Sequence, residues 1–137
     1  KSYTSINSNS IEEIKNLFYK FGIENLQKIP KNHTLTKSYY LLNKFPGRWD
    51  NRVLLVQSDD LESKDGVSSV IIGLNDWAGA WAKDKENYPL YQAVPGGERQ
   101  RELSYRFGIN LLMYALTGSY KSDQVHSKSI LERLRKE

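Results

Sequence analysis

The dipeptide Asn75-Asp76 stands where an apolar run ends and a helix is ready to begin. Residues 67–74 are β-branched and apolar, with Gly66 before them. Val70, Ile71 and Ile72 are consecutive, which predicts a strand covered on both faces, as in a central parallel strand. Asn75 or Asp76 then caps a helix that carries Trp77 and Trp81. A strand that runs out into a polar dipeptide and a helix N-terminus is where open α/β sheets hold ligands. At that place Asp76 has the chemistry of a general base, a ligand acceptor or a metal ligand. Helix capping alone is the competing role for both residues.

Two histidines and a set of arginines are the other candidates. His126 follows Asp123 at a spacing that sets two ligands together on one helical turn, although a polar corner explains it equally. His33 reads as a turn or cap residue. A hydrolase or metal-assisted enzyme requires Asp76 to converge with His33 or His126. Arg48, Arg99, Arg101 and Arg106 are candidate anion binders, since a guanidinium pairs bidentately with carboxylate or phosphate. Arg106 lies where the long helix passes from wet to buried, within reach of a carboxylate such as Asp76. Pro95-Gly96-Gly97 serves as a helix entry. No Ser-His-Asp set, P-loop, GxGxxG or HExxH pattern occurs. No metal or cofactor is assigned, and there is no cysteine to act as nucleophile, disulfide partner or zinc ligand.

The elements that must position these residues follow from periodicity. Ser10 and Glu13 form a capping box, and Ile11, Ile14, Leu17, Phe18 and Phe21 continue a helical stripe that Gly22 stops. Residues 33–42 are ambiguous, because Tyr39, Tyr40, Leu41 and Leu42 are consecutive and fit helix or strand, and a short helix is favoured. Phe45-Pro46-Gly47-Arg48-Trp49 is a turn with a bulky anchor. A short strand covers 53–57 and a polar, acidic loop 58–66. The longest helix opens at Pro95-Gly96-Gly97. Leu103, Phe107, Leu111 and Tyr114 mark its buried face, and Leu112, Met113 and Leu116 widen it, so its C-terminal half is expected to be buried on several sides. Gly118 is a candidate C-cap, and a short basic helix follows from Ser129. Trp77 and Trp81, spaced by small residues, are expected in the core beside the sheet.

The 137 residues suffice for one domain, with residues 1–9 flexible. Lys1 is not Met, so the chain is expected to be part of a longer one. The net charge of +4 and pI near 9.2 are spread without a dense basic block, which supports no specific nucleic-acid binding. No apolar run approaches the roughly 18 residues of a membrane span.

Three blocks carry a resemblance: L-T-K-S-Y-Y-L-L-N-K-F-P-G-R-W (35–49), D-G-V-S-S-V-I-I-G-L-N-D-W-A-G-A-W-A (65–82) and P-G-G-E-R-Q-R-E-L-S-Y-R-F-G-I-N-L-L-M-Y-A-L-T-G-S-Y-K-S-D-Q-V-H (95–126), followed by I-L-E-R-L (130–134). From about residue 29 to the end, the chain resembles the bacterial domain of unknown function number four-one-five-nine. The resemblance implies an α/β, flavodoxin-like or class I glutamine amidotransferase-like three-layer sandwich around a parallel sheet, with its N-terminal strands missing from this chain. It also implies the C-terminal end of a long membrane- or envelope-associated bacterial protein. No catalytic residues come with it, and the lack of cysteine excludes amidotransferase chemistry within these residues. The two strands read here are few for a sheet that usually has about four to six, which agrees with missing strands.

The reading that follows is a non-catalytic binding or regulatory module. Its expected partners are an upstream part of the parent chain or a second copy, through an unpaired sheet edge. The membrane is reached only through the parent. The first alternative is the Asp76–histidine enzyme and the second a weak nucleic-acid binder. The candidate ligand-binding residues are Asn75, Asp76, Arg106, His126, His33 and Arg48.

Overall fold

The structure, a computed structural model, describes residues 8–58 and 68–117. In chain order come α1 (Ser8–Tyr19), β1 (Leu26–Lys28), a 3₁₀ turn (Thr34–Thr36), β2 (Leu54–Gln57), β3 (Ile71–Gly73), α2 (Trp77–Trp81) and α3 (Gly97–Thr117). Gly118, the connector at 120–126, the basic helix after Ser129, the acidic loop from 59 to 66 and the first seven residues lie outside the described part.

Helix α1 starts slightly before the predicted cap and stops where expected. Gly22 takes a φ of +78°. Its N–H donates to the Tyr19 carbonyl at 3.0 Å, and the Ile23 N–H to that of Phe18 at 3.1 Å. This pair of bonds is the Schellman stop that a glycine permits. Ile11 and Ile14 share an apolar crevice with Val53, Leu55, Ile72 and Leu74 of the sheet region. Further along the helix Leu17 and Phe21 are exposed, so the stripe is only partly core.

The sheet corrects the expected fold class. Its order is β1-β2-β3, and both pairings are antiparallel, with Leu26 opposite Gln57 and Leu54 opposite Gly73. The only parallel pairing among the described residues is an isolated bridge between Trp49 and Val94. The flavodoxin-like parallel sheet is therefore overturned. The consecutive apolar residues of the strands do report coverage on two faces. Leu55 and Ile72 turn toward α1, while Leu54 and Ile71 join the cluster around Phe107. Cover on both faces says nothing about strand direction, and the sequence reading took one for the other. β1 escaped notice because Leu-Gln-Lys has one buried residue and two exposed ones.

The core gathers Leu35, Leu42, Leu54, Phe107 and Tyr114, with Trp77, Trp81 and Phe45 packed on it. Trp77 stacks on Phe107 at 4.4 Å between ring centroids. It crosses β3 at Gly73, where a Cβ would overlap the indole. Trp81 lies along α3 over Gly108, and its indole N–H donates to the Ser104 carbonyl at 3.0 Å. The small residues of α2 thus bring two indoles against both the sheet and α3.

The short helix expected within residues 33–42 forms only as the 3₁₀ turn Thr34–Thr36; residues 39–42 are not helical, and Asn110 on α3 is the reason. Its Oδ1 accepts the N–H groups of Tyr39 and Tyr40 at 3.2 and 2.7 Å. Its Nδ2 donates to the carbonyls of Leu35 and Tyr40, both at 2.8 Å. Backbone groups bound to a side chain cannot also close helical turns. The C-terminal half of α3 is less covered than predicted, because Leu112 and Leu116 remain 59% and 63% exposed.

Candidate functional site

The strand end becomes a junction between three segments. Asp76 sits at φ +52°, ψ +61°, a left-handed conformation that aspartate tolerates better than most residues. Its Oδ1 accepts the Gly79 N–H at 3.0 Å and so caps α2. A side chain at position 79 would collide with that carboxylate. The loop at 47–49 lies edge-on against the dipeptide. Arg48 N–H donates to the Asp76 carbonyl and Trp49 N–H to the Asn75 carbonyl, both at 3.0 Å. A Cβ at Gly47 would stand 2.1 Å from the Asn75 oxygen, so only glycine allows this approach. Gln100, from the first turn of α3, donates to the carbonyls of Gly47, Arg48 and Val94.

Arg48 is held at the same junction. One guanidinium nitrogen is 3.6 Å from Asp76 Oδ2. The guanidinium carbon lies 4.6 Å from the Trp49 ring centroid and 4.8 Å from that of Tyr91. The structure thus brings together Arg48, Asn75 and Asp76. Most of their polar atoms are occupied in fixing the loop to α2.

The remaining candidates lie elsewhere. Arg106 pairs with Glu102 one turn earlier and covers the Tyr40 ring at 5.2 Å, so the carboxylate it reaches is not Asp76. His33 caps the 3₁₀ turn, its Nδ1 accepting the Leu35 N–H at 3.1 Å. That bond leaves the ring proton on Nε2, which faces Ser68 Oγ at 3.1 Å. A base for Ser68 needs a lone pair on Nε2, so the arrangement is not a Ser–His nucleophile. The Tyr114 hydroxyl donates to the Ser68 carbonyl at 3.1 Å and accepts the Ser68 N–H, closing this buried cluster. Asp76 adjoins the Phe107 end of α3 through Trp77 and His33 adjoins Tyr114, levels about 10 Å apart along the helix axis. His126 lies outside the described residues. Among the described residues no group of three acidic or imidazole side chains could hold a metal.

A cleft opens beside Asn75. It holds about 590 Å³ and lies between the segments at 28–31, 42–45 and 50–54, within the range of small-molecule sites. Asn75 lines it while only 2% exposed. The Asn75 Nδ2 donates to the Phe45 carbonyl at 2.6 Å, and Oδ1 is buried without a hydrogen-bond partner. Lys28, Lys31 and Lys44 also line the cleft, and none makes an ion pair among the described residues. Sequence reasoning missed these lysines. Lys28 and Lys31 sit in one segment and Lys44 in another, in no motif that announces them, and only the fold sets all three on one cleft.

No curated protein matches this sequence closely enough to count as a relative. A family model does match, over residues 5–116. That span begins upstream of residue 29, where the resemblance was read to start, and ends before the I-L-E-R-L block. It includes the Gly47–Trp49 loop, Asn75-Asp76 and nearly all of α3. The chain belongs to the family described as Domain of unknown function (DUF4159).

Proposed function

We propose that this domain is a non-catalytic binding module whose ligand enters the cleft beside Asn75. The observation that carries this reading is Asn75, a residue that lines the open cleft and whose buried Oδ1 has no hydrogen-bond partner among the described residues. Buried polar groups are normally paired, and one left over marks a place where something else supplies the partner. The residues with catalytic chemistry support the same reading from the other side. Asp76 caps and pairs, and His33 is a neutral ring tied to Leu35 and Ser68. The test is a fragment screen with compounds of mixed charge, followed by backbone and Asn side-chain NMR shifts. Shifts clustered on residues 28–31, 42–45 and Asn75 are expected; binding only outside the cleft, or none, overturns the reading.

A partner reading rests on the sheet. β1 and β3 each leave one edge unpaired among the described residues. An upstream segment of a parent chain, or a second copy, would pair there. Association with a membrane or envelope would come through that parent, since no described helix is long and apolar enough to cross a membrane.

A further inference from the structure

We infer that the cleft takes an organic phosphate monoester whose uncharged body carries an N–H or O–H donor. This rests on the binding-module reading above and names its ligand class. Lys28 closes β1, Lys31 lies two residues beyond Ile29, and Lys44 comes from a second segment, so three lysines from two segments line one cleft. Among the described residues none has a carboxylate partner. Arg52 lines the cleft as well, with an interaction of its own. Ammonium groups are compact point charges that can surround a doubly charged, many-oxygen group without the planar fit that a guanidinium offers a carboxylate. A phosphoryl group uses several of them at once, and a lone carboxylate does not. Asp50 also lines the cleft and sets a limit on negative charge there, which suits one phosphate better than a polyphosphate.

The inner wall describes the rest of the ligand. Ile29, Leu42 and Phe45 give it an apolar surface, and Leu42 belongs to the core itself. An apolar wall with a few placed polar groups is how small-molecule sites hold the uncharged part of a ligand. Asn75 Oδ1 requires a donor, and an anionic oxygen would be repelled there, so the donor must sit on the body and not on the phosphate. A polymer is a poorer fit. Trp77 and Trp81 are engaged inside the fold and do not serve as platforms for successive bases.

The experiment titrates the labelled protein with adenosine monophosphate, adenosine and inorganic phosphate, reading the Asn75 side-chain NH₂ and the amides of 29, 31 and 42–45. Adenosine monophosphate has both parts; each of the other two lacks one. It is expected to bind at least about fivefold tighter than either. Lys31→Gln and Lys44→Gln alter exposed side chains, and each should weaken the monophosphate about fivefold while leaving adenosine unchanged. Equal binding of adenosine and its monophosphate, or variants without effect, overturns the phosphate class. Neutral fragments that enter the cleft while adenosine monophosphate does not would overturn this inference alone. A cleft that no fragment of any charge perturbs removes the binding-module reading with it.

Discussion

Asp76 shows how one residue can satisfy two descriptions. A carboxylate after an apolar run and before an indole helix is legible from sequence as a cap or as a site, and the local chemistry is the same until its surroundings are known. In the fold its oxygens meet Gly79 N–H and Arg48. Replacing it with asparagine keeps an acceptor for the cap and a side chain suited to φ > 0. Asp76→Asn is therefore expected to stay within about 0.5 kcal/mol of the parent, since a half-exposed ion pair contributes little. Asp76→Ala should lose about 1–2 kcal/mol with its cap. Urea midpoints measure both. A turnover found in this protein and abolished in Asp76→Asn at unchanged stability would move Asp76 from structure to catalysis.

Among the elements, α3 decides most of the arrangement, and its buried face mixes polar with apolar. Gln100, Ser104, Phe107, Asn110 and Tyr114 are all buried on it. The sequence reading followed Leu103, Phe107, Leu111 and Tyr114, because hydrophobic periodicity registers apolar residues only. Asn110 and Gln100 act as backbone substitutes, bonding loops that have no strand or helix to satisfy them. Asn110→Leu would fill similar space and strand the carbonyls and N–H groups of residues 35–40. A loss of about 3 kcal/mol or more is expected in urea unfolding, because each buried unpaired group carries a desolvation cost. Near-parental stability would mean that this loop can rearrange to bond itself.

At the scale of the molecule, three short antiparallel strands carry helices on both faces and leave two edges among the described residues. Short edge strands with a lysine at the end are one way that proteins limit edge pairing, and β1 ends on Lys28. β3 has no such guard within Ile71–Gly73. Self-association through that edge is expected to appear as a concentration-dependent sedimentation coefficient. A chain that sediments as one monomer across the concentration range would leave only an upstream segment as the edge partner. The net charge of +4 does not by itself select a partner.

The amino-acid order by itself determined the features that depend on neighbours in the chain. These are the Gly22 stop of α1, the capped α2 with its paired indoles, and the entry and long course of α3. Each follows from backbone conformational limits and from periods of a few residues. The block resemblance was legible too, and the family match over residues 5–116 bears it out. Strand direction, the pairing of β1, the bonding of Asn110 and the gathering of Lys28, Lys31 and Lys44 were left to the tertiary structure. They join segments far apart in the chain, where burial tells that a face is covered but not by what, and where a single lysine gains its meaning only from the charges folded beside it.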